Sequence, residues 1–243
     1  MCAGALLAAP ALGAADPGAP DLSGRWAQLQ VTTSVADLPI IGDVTSTTTS
    51  VLVLDVTQSG STLVLTEQVC SIDLSSTSKR VRTLFPKAFT RAVSGRVKRA
   101  HLTRDGSTIR FTQKRDYAFL GAKLKRSGSL PDEPDDPRVF DQDGDGHPGV
   151  TVRIRGAVDG DIYVVQRSWD EMYGELLDED HFDGHVKWKT EQSVLGATSI
   201  FLKSSPDSRA HASPARNYFR TTRLPQGKGC AHALKHRDTL FQR

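Results

Sequence analysis

Three cysteines in 243 residues are too few for the cysteine-dense class of small secreted domains. Downstream of residues 1–15 no apolar run approaches the roughly 20 residues needed to cross a bilayer as a helix. A net charge of +3 gives no general reason for binding nucleic acid. There is no G-x-S-x-G, no H-E-x-x-H and no phosphate loop, so no local motif announces a nucleophile, a metalloprotease or a nucleotide site. No fixed-period repeat points to a solenoid or propeller. These absences lower the expectation of catalysis. They favour a binding or structural protein that is not an enzyme.

With 38% hydrophobic and 24% charged residues, the composition is that of a globular chain able to bury a core. The opening MCAGALLAAPALGAADPGAP has the apolar centre and small-residue cleavage region of a secretory leader, which puts a signal peptide at residues 1–15. Its basic n-region is missing. Cys2 could carry a lipid anchor, although the residues that should precede a lipidated cysteine are absent. The expected product is one exported domain over residues 16–243, periplasmic, envelope-bound or secreted. The Ala/Gly/Arg/Asp-rich usage is like that of a bacterial chain. Two cysteines then remain, Cys70 and Cys230. In an oxidising compartment they are expected to pair, the alternative being two unpaired buried thiols.

The periodicity is β almost throughout. GRWAQLQVTTS (24–34) reads as a first strand, and the Val/Leu/Thr-rich runs 45–60 and 61–74 meet at Ser59-Gly60-Ser61 as a hairpin. A second hairpin, 96–120, hinges on Asp105-Gly106, with Ile109, Phe111 and Gln113 on one face. A polar loop, 126–149, is followed by strands at 149–156, 161–176, 185–202 and 217–224. Turns are expected at Asp159-Gly160 and Asp183-Gly184, and a short helix over 230–241. About eight to ten strands with almost no helix predict an all-β fold, an antiparallel barrel or a sandwich. Leu52, Leu54, Ile109, Phe111, Val186 and Trp188 are the inward apolar positions, able to line a cavity or to fill it.

Within the long loop, DQDGDG sets Asp141, Asp143 and Asp145 at alternate positions, with Gly144 and Gly146 to let the backbone coil. Hard cations ask for several carboxylate and carbonyl oxygens at short range. The stretch resembles the first half of an EF-hand calcium loop. The resemblance implies side-chain ligation of Ca2+ by Asp141, Asp143 and Asp145 and a backbone carbonyl from His147. The pattern then departs, because Val152 stands where that family carries a bidentate Glu and no helix flanks the loop. The remaining oxygens would come from Asp135, Asp136, Asp159 or Asp161. The alternative is a solvated acidic turn.

Ser23-Gly24-Arg25-Trp26 resembles the G-x-W motif that opens the barrel of the lipocalin (calycin) family. The resemblance implies that Gly24 and Trp26 mark the closed end of a barrel and that an Arg of the last strand, Arg220 or Arg223, meets the Trp. It also implies a helix after the barrel, tied back by a bridge such as Cys70–Cys230.

Charge is unevenly spread. Residues 79–126 hold fifteen Lys or Arg against Asp105 and Asp116, a balance of +13, and residues 132–183 hold sixteen acids against four Arg, a balance of −12. Either the two segments face each other, or the basic one presents a surface to an anionic envelope component. His181, Asp183 and His185 would share a strand face unless Asp183-Gly184 turns. His232 and His236 lie at i, i+4 on the C-terminal helix. The expected activity is binding of an apolar small molecule in the barrel or of a surface partner, with no nucleic acid and no transmembrane segment. The rivals are a structural envelope protein and a hydrolase that uses the acids of 132–183.

Overall fold

The computed structural model describes residues 20–38, 42–78, 80–203 and 207–242; the leader at 1–15 and Cys2 lie outside them. The elements in chain order are β1 (Gly24–Leu38), β2 (Gly42–Ser59), β3 (Thr62–Ser76), β4 (Val81–Leu84), α1 (Lys87–Ala92), β5 (Val97–Asp105), β6 (Thr108–Leu120), β7 (Val150–Gly156), β8 (Gly160–Asp178), β9 (His181–Ala197), β10 (Ser208–Ala210), β11 (Tyr218–Arg223), α2 (Cys230–Lys235) and α3 (Arg237–Leu240). All strands belong to one antiparallel sheet. The pairings run β1–β2–β3–β5–β6–β8–β9–β11 and return to β1, so eight strands close a barrel-like ring. Closure removes the exposed sheet edges that an open arrangement would leave. β7 and then β4 extend the sheet from the first part of β8.

Both expected hairpins form, β2–β3 and β5–β6; Asp159 lies in the turn between β7 and β8, and Gly160 opens β8. The β4 and β10 strands and helix α1 are short additions. Asp183-Gly184 is not a turn: both residues lie inside β9, and the β8–β9 hairpin turns after Asp178 instead. Gly184 is there because the strands approach too closely for a side chain. A Cβ at this position would lie 2.1 Å from the Tyr173 carbonyl oxygen. The glycine that reads as a turn signal is a packing requirement across the sheet.

Strand alternation divides the side chains between the two faces. Inward, Trp26, Leu54, Leu63, Phe111, Met172, Phe182 and Phe219 are almost wholly buried in one cluster with Leu52, Leu65, Leu102 and Val186. The rings touch: Trp26–Phe182 centroids are 5.2 Å apart, Phe111–Phe182 5.0 Å and Phe111–Phe219 5.8 Å. The inward apolar residues named from sequence therefore fill this end of the barrel, with Ile109 and Trp188 packed against the cluster. Outward, Ala27, Leu29, Val31, Val51 and Val53 are covered by Ala233 and Phe241 of the C-terminal segment. The sulfurs of Cys70 and Cys230 are at bonding distance, 1.95 Å, and pin that segment to β3. A bridge closing so long a loop contributes on the order of 5 kcal/mol in the chain-entropy account. No helix among the described residues is long and apolar enough to cross a membrane.

Candidate functional site

At the closed end of the ring, Gly24 has φ +125° and a Cβ there would lie 3.3 Å from an Arg223 nitrogen. A residue with no side chain lets the Arg223 guanidinium lie over the Trp26 ring, 4.2 Å from its centroid. Arg223 also donates to the carbonyls of Ser23 and Asp21, each at 2.9 Å, and pairs with Asp180. The Trp26 indole donates to the Leu22 carbonyl at 2.8 Å. Of the two arginines named from sequence, Arg223 meets the tryptophan. Arg220 instead donates to the Phe241 carbonyl on the outer side.

Above the aromatic cluster, the same inward positions turn polar. Glu67 follows Leu63 and Leu65 on β3, Lys98 precedes Ala100 and Leu102 on β5, Gln113 follows Phe111 on β6, and Asp170 precedes Met172 on β8. All four are buried. Lys98 Nζ lies 2.8 Å from Glu67 Oε1 and 2.8 Å from Asp170 Oδ2. Arg96 pairs with Asp116 and reaches Asp170 at 3.4 Å and Glu67 at 3.9 Å. Burial alone would depress the Lys98 ammonium, but the Glu67 and Asp170 carboxylates override it and hold its pKa above the ordinary lysine value. Asp170 is the mirror case. Burial opposes its charge, yet Lys98 and Arg96 keep its pKa below the usual carboxylate range.

Gln113 donates through Nε2 to Asp170 Oδ2 at 2.9 Å. An ionised carboxylate only accepts, so the amide nitrogen must face it and the amide oxygen must point away. That oxygen, Gln113 Oε1, is buried with no hydrogen-bond partner among the described residues. Further along the inward faces come Gln28, Gln30, Ser50, Gln166, Ser168, Thr190 and Gln192. All but the buried Gln28 are partly exposed, so solvent reaches this part of the lumen. Trp188 joins this lining and donates to Asn217 Oδ1 at 2.8 Å. Sequence reasoning put Gln113 on the inward face but did not single out Glu67, Lys98 or Asp170. The available signal was a charged residue in phase with apolar neighbours on a strand.

The acidic loop coils as its spacing suggested. Asp141, Asp143 and Asp145 offer carboxylate oxygens that all lie within 4.8 Å of one another, and no fourth acidic, His or Cys side chain joins them among the described residues. The backbone wraps Asp141: the N–H groups of Gly144 and Gly146 donate to it at 2.7 and 2.8 Å, and that of Asp145 at 3.2 Å. Burial opposes the Asp141 charge, but these N–H groups hold its pKa below the usual value. Asp143 is pushed the other way by burial and by the charges of Asp145 and Asp141, although Thr151 N–H donates to it at 3.0 Å. Its Oδ1 is buried without a hydrogen-bond partner among the described residues. His147 lays its ring on Tyr163, centroids 4.1 Å apart. Val152 is buried in an apolar cluster on β7. Asp136 pairs with Arg138, which lowers its pKa to about 2. Asp161 pairs with Arg153 and Arg155, and Asp159 accepts from Gly156 N–H.

The other candidates are scattered. His181, Asp183 and His185 do share the outward face of β9, but His181 turns to Asp178 and His185 to the Pro214 carbonyl. His232 and His236 touch with their rings tilted, centroids 4.4 Å apart, beside Lys235. The basic and acidic segments do face each other in part, through Lys98–Asp170, Arg96–Asp170 and Arg115–Glu171. No protein-family model matches the chain, and no curated protein matches it in sequence.

Proposed function

We propose that the chain is an exported, lipocalin-like binding protein that holds a small polar molecule in the open half of its barrel. The reading is carried by Gln113, a fully buried amide of the polar layer whose oxygen has no hydrogen-bond partner among the described residues. A buried acceptor without a donor costs about 1–3 kcal/mol, and a bound O–H or N–H group relieves that cost. The aromatic end leaves its volume to side chains, which favours a polar guest over an apolar one. The lipocalin-like part rests on Gly24, Trp26 and Arg223 at the closed end and on the tail clamped by Cys70 and Cys230. Binding is favoured over hydrolysis because Glu67 and Asp170 share Lys98 between them instead of facing each other across a cleft.

Calorimetry of the chain with monosaccharides, amino acids, polyols and palmitate tests this reading, with Gln113→Leu as control. A polar compound should bind and lose at least tenfold in affinity in the variant. Palmitate binding that ignores the variant would restore the apolar reading. Binding of nothing would favour a structural envelope protein.

The loop 141–147 is proposed to take Ca2+ through Asp141, Asp143 and Asp145, the orphaned Asp143 oxygen being the group most in need of a cation. The ligand set is short of the six to eight oxygens calcium prefers, so affinity is weak and the role is to fix the loop. Calcium at millimolar concentration should raise the unfolding midpoint of the wild type and leave that of Asp143→Ala unchanged.

A further inference from the structure

The outer face of β6, β8 and β9 carries a second constellation that the lumen does not use. Register places Tyr117, Trp169 and Lys189 side by side across the three strands, and Phe119, Arg167 and Glu191 in the next row. The segment after β6 folds back beside them, held by Arg167, which donates to the Gly128 carbonyl at 2.8 Å. Between segment and sheet is a cleft of about 320 Å3 lined by Tyr117, Arg126, Arg167, Trp169, Lys189 and Glu191 with Ser127 and Gly128. That volume is at the small end for ligand clefts, about 300–1,000 Å3.

Its charge is one-sided. Glu191 accepts from Arg167 Nε at 2.6 Å and from Lys189 Nζ at 2.7 Å, so two cations share one carboxylate. Arg126 lies over the Tyr117 ring, 5.3 Å from its centroid, and pairs with no carboxylate among the described residues. Arg115 covers Trp169 at 3.8 Å and is fixed by Glu171. Each of the two aromatic rings thus carries a guanidinium group on one face.

We propose that this cleft binds a carboxylated sugar unit of an acidic polysaccharide. A guanidinium fork matches a carboxylate in two parallel hydrogen bonds, which is the role of Arg126, with Lys189 as a second charge. Tyr117 and Trp169, which line the cleft, supply the apolar surface against which the C–H face of a sugar ring packs. Nucleic acid fits less well, because each ring already has one face covered by a guanidinium group, while bases need open aromatic platforms on which to stack. The site is independent of the lumen.

The test is a titration of the chain with short oligogalacturonate and with its fully methyl-esterified form, alongside polyphosphate, single-stranded DNA and phosphatidylglycerol vesicles. Arg126→Ala and Trp169→Ala are compared with the wild type, and the far-ultraviolet dichroism of each variant confirms folding. Oligogalacturonate should bind, the ester should not, and Arg126→Ala should lose at least tenfold in affinity with its fold intact. Trp169→Ala should lose affinity severalfold. The proposal is overturned if polyphosphate, DNA or vesicles bind as tightly as oligogalacturonate, if the ester binds equally well, if Arg126→Ala binds normally, or if oligogalacturonate fails to bind at millimolar concentration.

Discussion

The two halves of the barrel interior are built by the same strands, yet they solve burial in opposite ways. At the closed end Trp26, Phe111, Phe182 and Phe219 exclude water by filling the space with rings. A few residues along, Glu67, Lys98, Gln113 and Asp170 occupy equivalent inward positions, held together by charge and hydrogen bonds. The first arrangement is stabilising in itself, because apolar burial depends on area and not on a particular partner. The second is conditional: each member is tolerable only while the others remain, since an uncompensated buried charge is severely unfavourable.

That difference can be broken experimentally. Phe111→Ala should destabilise by about 3–5 kcal/mol through the cavity it leaves, and no change of a neighbour's polarity should restore it. Lys98→Met should destabilise by a similar amount, about 3–5 kcal/mol, by stranding Glu67 and Asp170. Here, however, replacing Glu67, Gln113 and Asp170 as well with apolar residues of similar size should recover most of the loss. Urea unfolding of the single and combined variants checks both. If the combined variant is no more stable than Lys98→Met, the two halves do not differ in the way described.

A smaller effect concerns pH. The native pKa of Asp170 is lower than its unfolded value, so its contribution is complete above the ordinary carboxylate range near pH 4. It is lost as pH falls through the lower native value. Asp170→Asn should therefore unfold with a shallower acid limb than the wild type, as read from unfolding midpoints between about pH 2 and pH 6. The smallest effect belongs to the barrel exterior. Arg25 pairs with Asp55 at 2.7 Å with both side chains well exposed, and Arg25→Ala should leave the urea midpoint almost where it is in the wild type.

The same contrast explains what the sequence disclosed. Period-two alternation placed Phe111, Leu54 and Val186 inward, because an apolar residue declares its face by its neighbours. The hairpins at Ser59-Gly60-Ser61 and Asp105-Gly106 were legible because turn residues act locally. Asp183-Gly184 misled for the converse reason: its glycine answers to the Tyr173 carbonyl across the sheet, a contact no local pattern encodes. The charged layer was hidden in the same way. Glu67, Lys98 and Asp170 are over thirty residues apart or more in sequence, and only ring closure makes them one group. The aspartates of 141–145 were legible because five consecutive residues hold the whole cluster, and the cleft at Arg126 was not, because three strands and a returning segment assemble it.

The three tryptophans of the chain report separately on these regions: Trp26 on the closed end, Trp188 on the polar lumen and Trp169 on the outer cleft. One set of proton–nitrogen spectra of their indole N–H groups, recorded while the polar panel, palmitate and oligogalacturonate are added in turn, shows which region each solute reaches. A polar solute should move Trp188 alone, oligogalacturonate should move Trp169 alone, and palmitate should leave Trp26 in place. A shift of Trp26 on adding palmitate, with Trp188 unmoved by every polar solute, would contradict a polar guest in the lumen.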